Sequence, residues 1–120
     1  MELTSTGYTL GGVDLLSVAK EFGSPLYVYD ADQIVANYHS LKNAFKGVDV
    51  HLKYACKALT NISVLKLLRK EGAGLDTVSI EEAMLGLKAG FEPQEIVVTD
   101  PNKELIIKLS GDAVIMETVT

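Results

Sequence analysis

Between residues 49 and 99, short β-favouring runs alternate with segments whose apolar residues recur at helical intervals, and this alternation constrains the fold more than any other feature. Strands separated by helices of about ten residues need crossover connections, so the strands run parallel and the crossovers are right-handed. A strand is expected at about 49 to 57. A helix follows at about 61 to 71, with Ile62, Val64, Leu65 and Leu68 facing inward and Gly72 as its stop. The second unit opens with a buried strand from Gly74 to Ser79. Ser79 and Glu82 then have the spacing of a capping box, which starts a helix carrying Ala83, Met84 and Leu87 on its face and ending at Gly90. Ile96 to Thr99 supply the next strand. A short helix from Asp100 to Leu109 and a fourth strand at Ala113 to Met116 complete the pattern.

The fold class is therefore α/β. The pattern suits a partial (β/α) barrel with parallel strands, about the first three or four βα units of a TIM-like barrel, and equally a small open sheet. At 120 residues the chain makes one domain, well short of the roughly 250 residues of a complete eight-stranded barrel. Upstream, Met1 to Leu10 has no useful periodicity and reads as an irregular or weakly extended lead-in. Val13, Leu16, Ala19 and Phe22 share one helical face between Gly12 and Gly23. Pro25 breaks the backbone, and Leu26, Tyr27, Val28 and Tyr29 form a β-favouring run expected to be a strand. Asp30 and Gln33 cap a further helix marked by Ile34, Tyr38, Leu41 and Phe45 and closed by Gly47.

Composition narrows the function. A hydrophobic share of 48% and a charged share of 22% suit one packed core. The net charge of −5, with basic residues scattered, argues against a nucleic-acid or anionic-membrane surface and favours a small-molecule partner. Cys56 is the single cysteine, which excludes an intrachain disulfide, and two isolated histidines make no metal-ligand cluster. Residues 1 to 20 carry Glu2 and Asp14 and lack a signal pattern, and no apolar run approaches the ~18 residues of a membrane span. The expected location is cytoplasmic.

Lys57 is the sharpest chemical candidate, because the carboxyl end of a parallel strand is where chemistry gathers in α/β folds. A partly desolvated amine there suits attack on a carbonyl and Schiff-base formation, although a lysine at a strand end also simply snorkels to water. Lys53 shares its expected strand face and reads as structural. Asp76, inside an apolar strand, needs a partner, and Lys57 on the adjacent strand is the nearest, unless the strand is an edge and the carboxylate is solvated. Glu82 has a sufficient local role as a capping residue. Gly72-Ala73-Gly74 precedes a strand rather than following one, so it reads as a helix stop and not as a phosphate loop. His39 and His51 fall away from the end carrying Lys57. Cys56 is expected on the opposite strand face as a packed small hydrophobe.

Gly23 to Asp30, Tyr54 to Ala58 and Gly72 to Ser79 resemble, in this order, the N-terminal motifs of the diaminopimelate decarboxylases, a branch of the alanine-racemase-like, fold type III pyridoxal phosphate enzymes. The resemblance runs from about Gly7 to Thr99. It implies a barrel followed by a β-domain, with Lys57 bound as a Schiff base to pyridoxal 5′-phosphate. Asp76 resembles the acid near cofactor and lysine, and Glu82 the acid opening the next helix, a substrate-side or supporting position. The implied reaction removes carbon dioxide from meso-diaminopimelate to leave L-lysine, in a homodimer whose active site is shared. Leu59 stands where an asparagine is common. Residues 100 to 120 lose the pattern, so residues 1 to 120 are expected to be the N-terminal portion of the barrel without the C-terminal β-domain. A racemase or another decarboxylase of the same fold, and a non-catalytic α/β module with exposed strand edges, stay open.

Overall fold

The computed structural model describes residues 1–99, together with the backbone of Leu105–Ser110 and Ala113–Thr118. Its centre is a three-stranded parallel sheet of β4 (Lys53–Ala55), β5 (Gly74–Thr77) and β6 (Ile96–Val98), in that order. Helices α3 (Ile62–Lys70) and α4 (Ile80–Ala89) make the two crossovers. Tyr54 pairs with Leu75 and Leu75 with Ile96, while Ala55, Asp76 and Val97 form the next row. Successive strand residues point to opposite faces, so these two rows line opposite sides of the sheet.

Local chemistry sets the helix boundaries. Asn61 Oδ1 accepts from the amides of Ser63 and Val64, and Ser79 Oγ accepts from that of Glu82, each meeting donors that a helix start leaves orphaned. Gly90 ends α4 in the left-handed conformation. Burial then follows the helical period. Leu65, Ala83 and Ala89 join Cys56, Leu75, Phe91 and Ile96 in one cluster. Tyr38, Val64, Leu68 and Ala73 form a second cluster beneath α2 (Ala31–Ala44), which Asp30 caps at Gln33 as expected. Gly86 is the point of closest approach. A Cβ there would lie 2.5 Å from Leu75 Cδ2 and 3.1 Å from Ile96 Cδ1, so α4 seats directly on the sheet.

Several expectations change. The strand expected at 49 to 57 is only Lys53–Ala55, because its partner β5 starts at Gly74 and pairing ends at Ala55 with Asp76. Met84 is exposed, and Gly86 takes the inward place. Met1 to Leu10 takes the extended alternative: β1 (Glu2–Thr4), β2 (Gly7–Leu10) and β3 (Val13–Asp14) form an antiparallel meander, which places Val13 in a strand. Helix α1 (Leu15–Phe22) follows with Asp14 as its cap, and its apolar face stays open, with Leu16 and Phe22 exposed. Leu26 to Tyr29 carries no β-ladder. A strand exists only through its neighbours, and among the described residues none lies beside the outer edge of β4. Leu105–Ser110 is a strand, β7, rather than the end of a helix, and it pairs antiparallel with β8 (Ala113–Thr118). The β-branched residues Ile106 and Ile107 favour that outcome. Ala113 to Met116 is thus a strand, but in a separate two-stranded sheet, while Asp100 to Glu104 lies outside the described residues. No helix among the described residues is long and apolar enough to cross a membrane.

Candidate functional site

The chain leaves β4 through a single 3₁₀ turn, Cys56–Ala58, and Lys57 is the middle residue of that turn. This places it one step beyond the strand, at the end of the sheet where the βα connections emerge. The turn is held from several sides. Cys56 is sealed in the core at 0% exposure, the Leu59 amide donates to Cys56 O at 3.1 Å, and Tyr54 Oη donates to Leu59 O at 3.2 Å. Lys57 itself is exposed, not partly desolvated as expected, and its ammonium has no ion-pair partner among the described residues. An accessible amine of this kind can condense with a carbonyl.

Asp76 lies half-buried on the sheet face away from the helices. Its carboxylate accepts from Thr99 Oγ1 at 2.8 Å. Thr99, rather than Lys57, is therefore its hydrogen-bond partner among the described residues, and sequence reasoning missed it. The signal was available: Asp76 pairs with Val97, and the residue two further along the same chain has the same facing. Beside it, Thr77 is fully buried on the helix side and donates to Val97 O at 3.1 Å.

Glu82 does reach back across the helix start. Its Oε2 accepts from the Val78 amide at 2.8 Å, one residue earlier than a standard capping box, and fixes the turn from β5 into α4. Burial pushes the Cys56 thiol up, and Glu82 adds to that rise, so the thiol stays protonated and packs as the small hydrophobe expected. The neighbouring Glu81 carboxyl is held below its usual range by a hydrogen bond to its own backbone amide and by Ser79.

The remaining candidates are structural. His39 pairs with Glu71 at 2.8 Å, joining α2 to the far end of α3, and His51 is exposed beside Asp49. Lys53 donates to Glu95 O at 3.1 Å. A Cβ on Gly74 would lie 2.8 Å from Glu95 O, so the glycine pair after α3 serves a helix stop and a close strand approach, not a phosphate.

Residues 31–109 match the family described as pyridoxal-dependent decarboxylase, pyridoxal binding domain. The match covers the whole parallel unit and extends past Thr99, where the motif resemblance ends. A diaminopimelate decarboxylase of Methanothermobacter thermautotrophicus is 43% identical over 105 residues, which cover 85% of this chain and 24% of that protein. The solved structure of a diaminopimelate decarboxylase from M. jannaschi is similar with a TM-score of 0.77 at 32% identity, over 82% of this chain and 24% of that one. A lysine/ornithine decarboxylase from Vibrio vulnificus, complexed with putrescine, gives 0.68 at 33% identity, over 72% and 23%. The chain spans about a quarter of the length of these relatives. With a family match over most of its length, this chain belongs to the pyridoxal-dependent decarboxylases, whose cofactor is pyridoxal 5′-phosphate.

Proposed function

We propose that this chain carries the cofactor lysine of an enzyme that removes carbon dioxide from meso-diaminopimelate and leaves L-lysine. The observation behind this reading is the place of Lys57, an exposed amine on the turn that follows a parallel strand. The residues fit the cofactor. Pyridoxal 5′-phosphate offers an aldehyde, and Lys57 offers an accessible amine at the strand ends. When bound, the cofactor supplies a conjugated pyridine ring that takes up the electron pair left when a carbon–carboxylate bond breaks.

The chain's own residues have distinct tasks in this reading. Lys57 would hold the cofactor, and its Nζ, when free, would carry a proton. Asp76, oriented by Thr99, sets the charge on the open sheet face. Glu82 supports the site by fixing the β5 to α4 turn that borders it. Residues 1–120 are then the N-terminal portion of a pyridoxal phosphate-binding (β/α)₈ barrel. The whole protein acts in the cytoplasm as a homodimer, in lysine biosynthesis, on a small amino-acid substrate. The likeness to a lysine/ornithine decarboxylase favours, as the second reading, another amino acid with a terminal amine.

Two measurements decide between them. Titration of the purified chain with pyridoxal 5′-phosphate is expected to give a Schiff-base absorbance band that Lys57→Ala abolishes. Carbon dioxide release by the whole protein is expected from meso-diaminopimelate and not from L-ornithine or L-lysine. Release from ornithine alone hands the site to the second reading, and no absorbance band at all contradicts both.

A further inference from the structure

The turn that carries Lys57 is bracketed by Tyr54 and Leu59, and the two are joined by the tyrosine hydroxyl. We propose that Tyr54 is a positioning residue for Lys57, closing the Cys56–Ala58 turn by donating its hydroxyl hydrogen to the Leu59 carbonyl. This rests on the reading of Lys57 as the cofactor lysine.

Tyr54 is built to be a fixed point. Its backbone belongs to β4, in register with Leu75, and its ring packs against both core clusters. The turn's other anchors are fixed too. Cys56 is enclosed in the first cluster, Leu59 packs against the second, and the Leu59 amide closes on Cys56 O. A 3₁₀ turn this short has few hydrogen bonds of its own, so one side-chain bond across its ends is a large part of what defines it. Lys57 therefore projects from a backbone held on both sides, and only its flexible side chain remains to be ordered when a ligand binds.

The surroundings favour this pairing. Tyr54 and Leu59 both line an apolar cavity of about 410 Å³, with Ile34, Tyr38, Leu41 and Val64. A hydroxyl in such a wall has few alternative partners. Burial also pushes the Tyr54 phenol up, which keeps it protonated and donating across neutral pH. The departure at Leu59 gains a meaning here: the partner is the main-chain carbonyl, which survives whatever side chain stands at that position.

Tyr54→Phe keeps the ring and removes only the donor. Amide hydrogen exchange at Leu59 is expected to quicken about three- to tenfold, the worth of one hydrogen bond. The rate of borohydride-trapped pyridoxal phosphate adduct at Lys57 is expected to fall by a similar factor, while adduct at the exposed Lys88 of α4 is unchanged. Tyr8→Phe, on β2, leaves all three rates alone. A general loss of stability would move Lys57 and Lys88 together, so an unchanged ratio between them overturns the proposal, as does unaltered exchange at Leu59. Should the unsubstituted chain show no preference for Lys57, the cofactor-lysine reading fails, and the exchange rate at Leu59 still decides the clamp. If Tyr54→Phe does not fold, exchange in the unsubstituted chain serves instead: slow exchange at Leu59, comparable to that of Leu65 in α3, supports the clamp, and rapid exchange overturns it.

Discussion

The two faces of the parallel sheet are chemical opposites. On one, Tyr54, Leu75 and Ile96 stand in a row beneath α3 and α4, with Leu75 at 0% exposure and Gly86 pressed against it. On the other, Ala55, Asp76 and Val97 stand in a row with no helix over them among the described residues, and Val97 remains 41% exposed. Adjacent residues of one strand thus serve different ends. The packed face supplies the burial that holds the strands in register, and in the proposed reading the open face and the turns beyond it present an acid and a lysine to a ligand.

That contrast can be broken most severely at its packed side. Leu75→Ala is expected to cost about 2–5 kcal/mol, read as a shift in the urea midpoint, because the deleted atoms leave a cavity under α4. Gly86→Ala follows at about 1–3 kcal/mol, since the new methyl meets Leu75 and Ile96 and the roughly 1 kcal/mol gain in helix propensity does not offset the overlap. Glu82→Ala is expected to cost about 0.5–1 kcal/mol in the same assay, because the exposed Val78 amide exchanges its charged acceptor for water.

Smaller effects sharpen the comparison. Because burial raises the Cys56 thiol, the folded chain keeps a proton that the unfolded chain releases. Stability is therefore unaffected below the ordinary thiol range of roughly 8.5 and declines as pH rises through it, and Cys56→Ser or Cys56→Ala flattens that decline. Asp76→Asn on the open face is expected to leave stability within about 0.5 kcal/mol, since the amide oxygen still accepts from Thr99. The same substitution is expected to weaken pyridoxal 5′-phosphate binding about tenfold, the worth of one charge-assisted interaction. A large loss of stability from Asp76→Asn would erase the distinction between the faces.

What was legible in the sequence was what is decided locally. Asp30 and Ser79 announce helix starts through side chains that reach their own amides, and Gly72 and Gly90 announce stops through backbone conformations open to glycine. The βαβ alternation followed from these. Strand pairing is settled elsewhere in the chain. Leu26 to Tyr29 has the composition of a strand and no ladder, whereas Glu2 to Thr4, with little pattern, has one because Gly7 to Leu10 folds back on it. Lys57 was singled out by its neighbours in sequence, yet its placement on a turn depended on where β5 begins. The partner of Asp76 was misjudged for a related reason. Strand adjacency pointed to Lys57, while the facing of Thr99, two residues beyond the paired Val97, supplied the closer hydrogen bond.

The most direct test of the account is the distribution of reduced pyridoxal phosphate adduct over the lysines of the purified chain, mapped by mass spectrometry after brief borohydride treatment. The account predicts label at Lys57 well ahead of the other exposed lysines, Lys53, Lys66 and Lys88 among them, with no lysine taking its place in Lys57→Ala. Label spread evenly over the lysines, and undiminished in Lys57→Ala, would contradict it.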